Sequence, residues 1–435
     1  MEQEKASLGD PFISGVREKD FKKKKEELRE LAKKIAHIST LPIQEKTMKA
    51  WKALNGLKPE RPMFMVDQLP WGELSGGEFI KMEPHRCILD HFKHQLMQTL
   101  FRWENCQDDR VVTDIIYVPK AIEKSGFGMN IDATTIHGRP GTVNSYMYKA
   151  IIETDEDIEK IQTPVVSENK DATRERISVA NDIFFGILRV SPQGADNYGH
   201  VWDMISTWRG VENCMFDIAD RPEFVHKILD KMFGIFHHVM DEYERLGLID
   251  VGQPSIHCTG AFSDELPGFA GESEAELEKF RYSGKNVWTY GAAQLFSMVS
   301  PDVHDEFEIA YQSKWFGRFG LGYYGCCEPL DRKIDIIAKL PNVRKISVSP
   351  WADMERSSSA MNGRFVFSRK PNPAFLATDS AWDEEIIRDD LISACKISEK
   401  YNNPCELILK DVSTLGNVPE RLTKWTKIAA EVCGR

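Results

Sequence analysis

From residue 285 to residue 433 the chain alternates short apolar runs with helical stretches, and the connections between them are short. Residues 285–290 read as a strand. Ser300-Pro301 then starts a helix that runs to about 318, since proline is favoured in a first helical turn. Residues 321–324, 343–348, 364–367 and 406–411 read as further strands, with helices over 382–400 and 419–433. This alternation demands parallel strands joined by crossover helices, which leaves a doubly wound open sheet or a barrel. Because the pattern continues almost to the last residue, it predicts an α/β chain with a TIM (β/α)8 barrel.

One unit inside that pattern carries the reactive groups. Residues 321–353 read strand, polar loop, helix, strand. Leu330, Ile334, Ile337 and Leu340 fall at helical spacing, and Val343, Ile346 and Val348 form a short buried strand. In such units chemistry gathers just past the first strand, at the carboxyl edge of the sheet. Cys326, Cys327 and Glu328 stand at that point, behind the aromatic pair Tyr323-Tyr324. Adjacent residues on an extended chain face opposite ways, so one of the two thiols is expected to point inward.

The first half is more elaborate. Residues 1–58 are charged and helical, and Leu28, Leu31, Ile35 and Ile38 make an apolar stripe. They predict an N-terminal helical extension that docks by this stripe; a membrane or partner arm is the alternative. Residues 59–435 would form the barrel with its loop insertions. Residues 61–66 read as the first strand, and a polar loop from Asp67 to Gly77 follows. A helix from about His85 to Phe101 carries His91 and His94 at i, i+3, but no acidic helper accompanies them, so a structural role is expected. The apolar run 111–119 contains Asp114. A buried carboxylate is costly unless paired or hydrogen-bonded. Asp114 is therefore either a structural cap or a site carboxylate. Residues 120–175, with Gly126, Gly128, Gly138 and Gly141, predict a loop-rich insertion with a short hairpin, either a lid or a dimer contact. Trp202 and Trp208 open a helical region after the strand at 183–190, and His257-Cys258 closes another apolar run.

A net charge of −11 argues against nucleic acid as the main partner. No apolar run approaches the roughly 20 residues that span a bilayer, and the N-terminus shows no signal-peptide core. Nine cysteines without framework spacing fit reduced thiols, hence a cytoplasmic location.

Several segments in order resemble the uroporphyrinogen decarboxylase superfamily of TIM barrels. They are VTDIIYVPKAI (112–122), DIADRPEFVHKILD (217–230), GAAQLFSMVSP (291–301), the unit at 321–353 and ELILKDVSTLGNVPERL (406–422). The resemblance spans roughly residues 60–433. It implies that Asp114 falls on the aspartate with which the decarboxylases hold pyrrole nitrogens. The arginine-rich loop of those enzymes is replaced by DQLPWG at 67–72, their site tyrosine by Ser206, and their Gly-His-Gly by Asp411-Val412-Ser413. The cationic clamp for a polycarboxylate is thus missing. The superfamily also holds zinc methyltransferases with a His-x-Cys pair and a C-terminal cysteine. Here the pair falls on Tyr324-Gly325-Cys326 and the cysteine near Val412, so two of those ligands are absent. The resemblance then implies either a lost metal or a rebuilt three-ligand zinc site drawn from His257, Cys258, Cys326, Cys327 and Glu328.

The resulting expectation is a methyltransferase that takes a methyl group from a small donor, such as a methoxylated aromatic or a methylamine, and passes it to a corrinoid protein partner. Zinc or a nearby acid would assist the leaving group. Trp202, Trp208, Tyr290, Tyr323 and Tyr324 are candidates for the donor platform, with barrel core as their other role. Asp114 would bind a donor hydroxyl or act as general acid. A homodimer is a further expectation. The competing expectations are a decarboxylase of a smaller carboxylate and a barrel that binds without catalysing.

Overall fold

The computed structural model describes residues 10–14, 18–76, 87–136 and 145–435. Gly77, His85, Gly138 and Gly141 therefore lie outside the described residues.

Eight parallel strands position the chemistry. They are β1 (Met63–Val66), β2 (Ile115–Pro119), β3 (Arg189–Gln193), β4 (Trp288–Gly291), β5 (Leu321–Tyr324), β6 (Val343–Val348), β7 (Val366–Arg369) and β8 (Cys405–Leu409). Six of them form one parallel sheet in the order β1-β8-β7-β6-β5-β4. β2 and β3 form a separate parallel pair. The extension of β3 keeps the same direction, because Tyr198 bridges Tyr290 of β4 in parallel. β1, β4, β5, β7 and β8 of the six-stranded sheet are buried on both faces, as parallel strands covered by helices must be.

The α/β class stands, but among the described residues no closed ring of strand pairing forms. The interruption has a cause at the free edge of β1. There the N–H groups of Phe64 and Val66 donate to the carboxylates of Asp109 and Asp108, at 3.0 and 2.8 Å. Side chains thus satisfy donors that a neighbouring strand would have taken.

Other local expectations shift for equally local reasons. The run at 111–119 becomes a strand only from Ile115, since the Val112 N–H goes to Gln44 Oε1 at 2.8 Å instead of to a ladder. The helix at 330–340 shrinks to Ile334–Ile337. The helix after Ser300 is broken by a π-helical turn at Asp305–Ile309. The hairpin in the insertion is present as Ala133–Ile136 paired with Ser145–Tyr148. No described helix is long and apolar enough to cross a membrane.

The N-terminal stripe docks as its spacing predicts: Leu28, Ile35 and Ile38 of the helix Glu18–Ser39 are buried with Phe92 and Leu96 of the helix Ile88–Asn105. Trp51 and Asn55 of the next helix, Pro42–Asn55, reach the sheet. The Trp51 indole N–H donates to the Asp109 carbonyl at 2.7 Å, and the Asn55 amide donates to the Gly260 and Phe262 carbonyls.

The inward face of the sheet is unexpectedly polar. Lys345 of β6 and Glu406 of β8 form an ion pair at 2.7 Å with both side chains fully buried. Thr259 donates to the same Glu406 oxygen, and Lys345 also reaches the Thr259 hydroxyl and the Gly260 carbonyl.

Candidate active site

The turn after β5 is shaped by Gly325. Its φ is +91°, and a Cβ there would meet Leu330 Cδ1 at 2.3 Å, so no other residue fits without displacement. That turn delivers Cys326, whose backbone is held from both sides. Its N–H donates to Glu328 Oε2 at 3.0 Å, and its carbonyl accepts from Ser347 Oγ at 2.7 Å. The thiol ends up buried, only 3% of the residue being exposed.

Lys410 enters from the end of β8. Its Nζ lies 2.8 Å from Cys326 Sγ, 3.3 Å from His257 Nε2 and 3.4 Å from Asp411 Oδ2. His257 stacks flat on Tyr290, with ring centroids 3.8 Å apart and planes at 10°. Cys327 Sγ is 3.4 Å from Cys326 Sγ and donates to Asp411 Oδ2 at 3.1 Å. Tyr198, Tyr290 and Tyr323 pack in one cluster with Cys326 and Cys327. Backbone strain gathers at the same mouth: Gln68, His257, Cys258 and Asp411 are non-glycine residues with φ of 51°, 38°, 73° and 57°. Such conformations persist only where the surroundings enforce them, and they concentrate at functional sites.

The surroundings push the two thiols in opposite directions. The contact with Cys327 is the largest influence holding the Cys326 thiol far below its ordinary range; His257 and Lys410 add to it, and burial opposes it. The same contact with Cys326 drives Cys327 upward, with burial acting in the same direction. Cys326 faces an ammonium while Cys327 faces the Asp411 carboxylate, so the thiolate belongs to Cys326. Burial alone would discharge Lys410, but Cys326, Cys327 and Asp411 keep its ammonium charged above the usual range. Burial lowers His257, partly offset by its contact with Cys326, and leaves the imidazole neutral.

A second lysine lies deeper. Lys370 donates to Ser368 Oγ at 2.8 Å and sits 5.0 Å over the Tyr323 ring. Burial pushes it down to about 8, against the pull of Glu406. Behind the Cys326 loop is an acidic group. Burial raises Glu328 to about 7 and pushes Glu308 well above the usual carboxyl range. Glu308, set inward by the π-helical turn, accepts from the Tyr324 hydroxyl at 3.4 Å, and that hydroxyl is 2.6 Å from His304 Nε2.

The expected residues are therefore distributed as follows. His257, Tyr290, Tyr323, Cys326 and Cys327 meet around Lys410. Cys258 is half-buried and packs against the cluster of Trp51, Met65 and Phe262; burial pushes its thiol up to about 12. Glu328 spends one oxygen on the Cys326 backbone and does not reach the Lys410 nitrogen. Tyr324 lies on the opposite face of β5 from Tyr323, as alternation requires. Trp202 and Trp208 are core residues: the Trp202 indole N–H donates to the Phe307 carbonyl at 3.0 Å, and Trp208 packs edge-on against Phe127. Asp114 precedes β2, at the amino end of the strands, and forms a two-pronged ion pair with Arg189 at 2.8 and 2.9 Å. That pair stands at the mouth opposite Cys326. A cavity of about 160 Å³ between the N-terminal helices and the sheet, lined by Ile35, Trp51 and Gln95 among others, reaches neither Cys326 nor His257.

Lys370 and Lys410 are the residues that sequence reasoning missed. Their signal was present: each extends the inward period of an apolar parallel strand, Val366-Ser368-Lys370 and Glu406-Ile408-Lys410.

A zinc ion does not fit these residues as they stand. Zinc needs ligand atoms at about 2.0–2.3 Å, and the point where Cys326 and His257 converge is the Lys410 nitrogen. Among the described residues no group of three His, Cys, Asp or Glu side chains is arranged to hold a metal.

No protein-family model matches this chain, and no curated protein matches it. Among solved structures, a methyltransferase from Methanosarcina mazei superposes with a TM-score of 0.46 at 8% sequence identity, over 88% of this chain and 98% of that one.

Proposed function

We propose that the chain is a methyltransferase, built on a (β/α)8-type frame, that moves a methyl group from a small methylated donor to a corrinoid protein docked at the carboxyl ends of the strands. The observation that carries this reading is the buried Cys326 sulfur 2.8 Å from the Lys410 nitrogen, within a cluster that includes Tyr198, Tyr290 and Tyr323. Aromatic faces attract the positive charge of an onium methyl group, and they give a methoxylated ring an apolar seat. When the partner is bound, its corrinoid supplies the methyl acceptor. In the transfer, the bond from the methyl carbon to the donor's oxygen or nitrogen breaks, and the electron pair stays on that atom. Lys410 is placed to donate a proton to it, and the thiolate would steady the charge of the ammonium in the ground state. A positioned acid of this kind is worth about 100- to 10,000-fold.

The test supplies the purified chain with methoxylated aromatics or methylamines and free reduced cobalamin, and follows methylcobalamin by absorbance. Lys410→Met, which removes the proposed acid, should slow the transfer at least about 100-fold. Full activity in that variant would remove Lys410 from the chemistry.

A second reading has one specific observation in its favour. The ammonium groups of Lys370 and Lys410 lie on neighbouring strands and would hold a small carboxylate. A decarboxylase of that kind releases carbon dioxide without any cobalamin, which separates the two readings in one assay.

A further inference from the structure

We infer that the ammonium of Lys410 takes the place of a divalent metal in this site and is the built-in cation that holds Cys326 as a thiolate. The inference concerns the same site as the proposed methyl transfer but does not depend on what group is transferred.

Three observations carry it. First, the residues that would bind a metal instead surround a nitrogen: Cys326 Sγ at 2.8 Å, His257 Nε2 at 3.3 Å and Asp411 Oδ2 at 3.4 Å. Cys327 completes this ring through its bond to Asp411. Sulfur, imidazole and carboxylate are the donor types of zinc sites, yet here each touches or nearly touches one ammonium. Second, a metal bound at that point would sit in contact with Nζ. Two cations at such a distance repel by several kcal/mol even at an effective dielectric of about 20, so the metal and the charged lysine exclude each other. Third, Lys410 is itself buried, with only 3% of the residue exposed, and its polar neighbours at this end of β8 are the Cys326, His257 and Asp411 groups that a metal would need.

The arrangement also accounts for charge. A buried thiolate without a cation is costly. The Lys410 ammonium supplies that cation, and it remains attached to the chain when the site opens to a substrate or partner. A lysine is a compact point charge with three rotatable donors, so it can bridge Sγ, Nε2 and Oδ2 together.

The experiment uses the full chain with Lys410→Met, Lys410→Arg and Cys326→Ser variants, each first checked for cooperative unfolding well above the assay temperature. Two quantities are read. One is zinc retained after equilibration with zinc and gel filtration, by elemental analysis. The other is the thiolate absorbance near 240 nm at neutral pH, taken as the difference from Cys326→Ser. The wild type should retain no zinc that depends on Cys326 and should show the absorbance of one thiolate. Lys410→Met should lose that absorbance, and Lys410→Arg, which restores the charge, should keep it. If Lys410→Met unfolds, the Lys410→Arg result and the zinc content of the wild type decide the matter alone. Equimolar zinc in the wild type that disappears in Cys326→Ser overturns the inference. So does a thiolate signal that survives in Lys410→Met, or one lost in a folded Lys410→Arg. Neither readout involves a methyl donor or cobalamin, so the methyl-transfer reading can fail while this one holds.

Discussion

Two lysines, on neighbouring levels of the same inward face, are each paired with an anion, and the two pairs behave oppositely. Lys345 meets Glu406 in the closed interior, where Thr259 and the Gly260 carbonyl complete its bonding and both side chains are fully buried. Lys410 meets Cys326 at the mouth, beside a neutral imidazole and an exposed carboxylate, among residues with strained backbone. The first pair is sealed from solvent, although Glu406 Oε1 has no hydrogen-bond partner among the described residues. The second has a soft anion, a partner that can change protonation and an opening to solvent. What differs is the acid: an ordinary carboxyl is ionised at neutral pH, whereas an ordinary thiol is not.

That difference sets the largest expected effect. Lys345→Met leaves the Glu406 carboxylate buried and unpaired, and breaking one side of such a pair costs about 3–5 kcal/mol. Lys410→Met should cost far less, on the order of 1 kcal/mol, because Cys326 can take up a proton at neutral pH without penalty given an ordinary thiol range near 8.5. Urea unfolding of the two variants measures this gap. Equal losses would break the comparison. The double variant Lys345→Met/Glu406→Leu should recover most of the loss, as apolar replacements of buried ion pairs do.

Glu328 sharpens the contrast, being a buried carboxyl near the mouth with no cation at ion-pair distance among the described residues. Burial raises it to about 7 from an ordinary 4.5, so the folded state keeps a proton that the unfolded chain releases. Its contribution to stability is therefore full below about pH 4.5 and is lost as the pH rises through about 7. The swing has an upper bound of about 3 kcal/mol, from that shift at roughly 1.36 kcal/mol per unit. Glu328→Gln keeps an oxygen for the Cys326 N–H and should flatten the fall in melting temperature between pH 5 and pH 8. An unchanged slope would mean that Glu328 is ionised throughout.

Much of the frame is legible in the sequence, because alternation and helix signals are local. The strands β4 to β8 fall close to where the apolar runs place them, and the site loop follows β5 because chemistry collects at carboxyl ends. The partners within the site are less legible. Cys326 and His257 announce themselves by residue type, but Lys410 reads as an ordinary strand-end lysine until the inward period of β8 is followed from Glu406. Trp202 and Trp208 show the limit of composition: an aromatic buried for its area looks the same in sequence as one lining a pocket. Glu308 was invisible for another reason, since its inward direction depends on a π-helical turn that no periodicity marks.

Asp114 provides the smallest effect and the cleanest control, because it is an ion pair at the other end of the strands. The apolar run around it suggests burial, yet the strand begins one residue later, and the carboxylate meets Arg189 with 43% of its side chain exposed. The Arg189 guanidinium holds the Asp114 carboxyl below its usual range, against a smaller effect of burial. A depressed carboxyl contributes stability above its ordinary pKa and loses it as the pH falls through the lowered one. Exposure screens the pair, so Asp114→Asn should cost no more than about 1 kcal/mol at neutral pH. The cost should shrink further in high salt and disappear in acid, where the wild-type carboxyl is itself protonated. The methyl transfer proposed above should proceed in this variant as in the wild type, since Asp114 and Cys326 stand at opposite ends of the strands. A large loss of activity at unchanged stability would place Asp114 in the chemistry and make the amino end, not the carboxyl end, the site to explain.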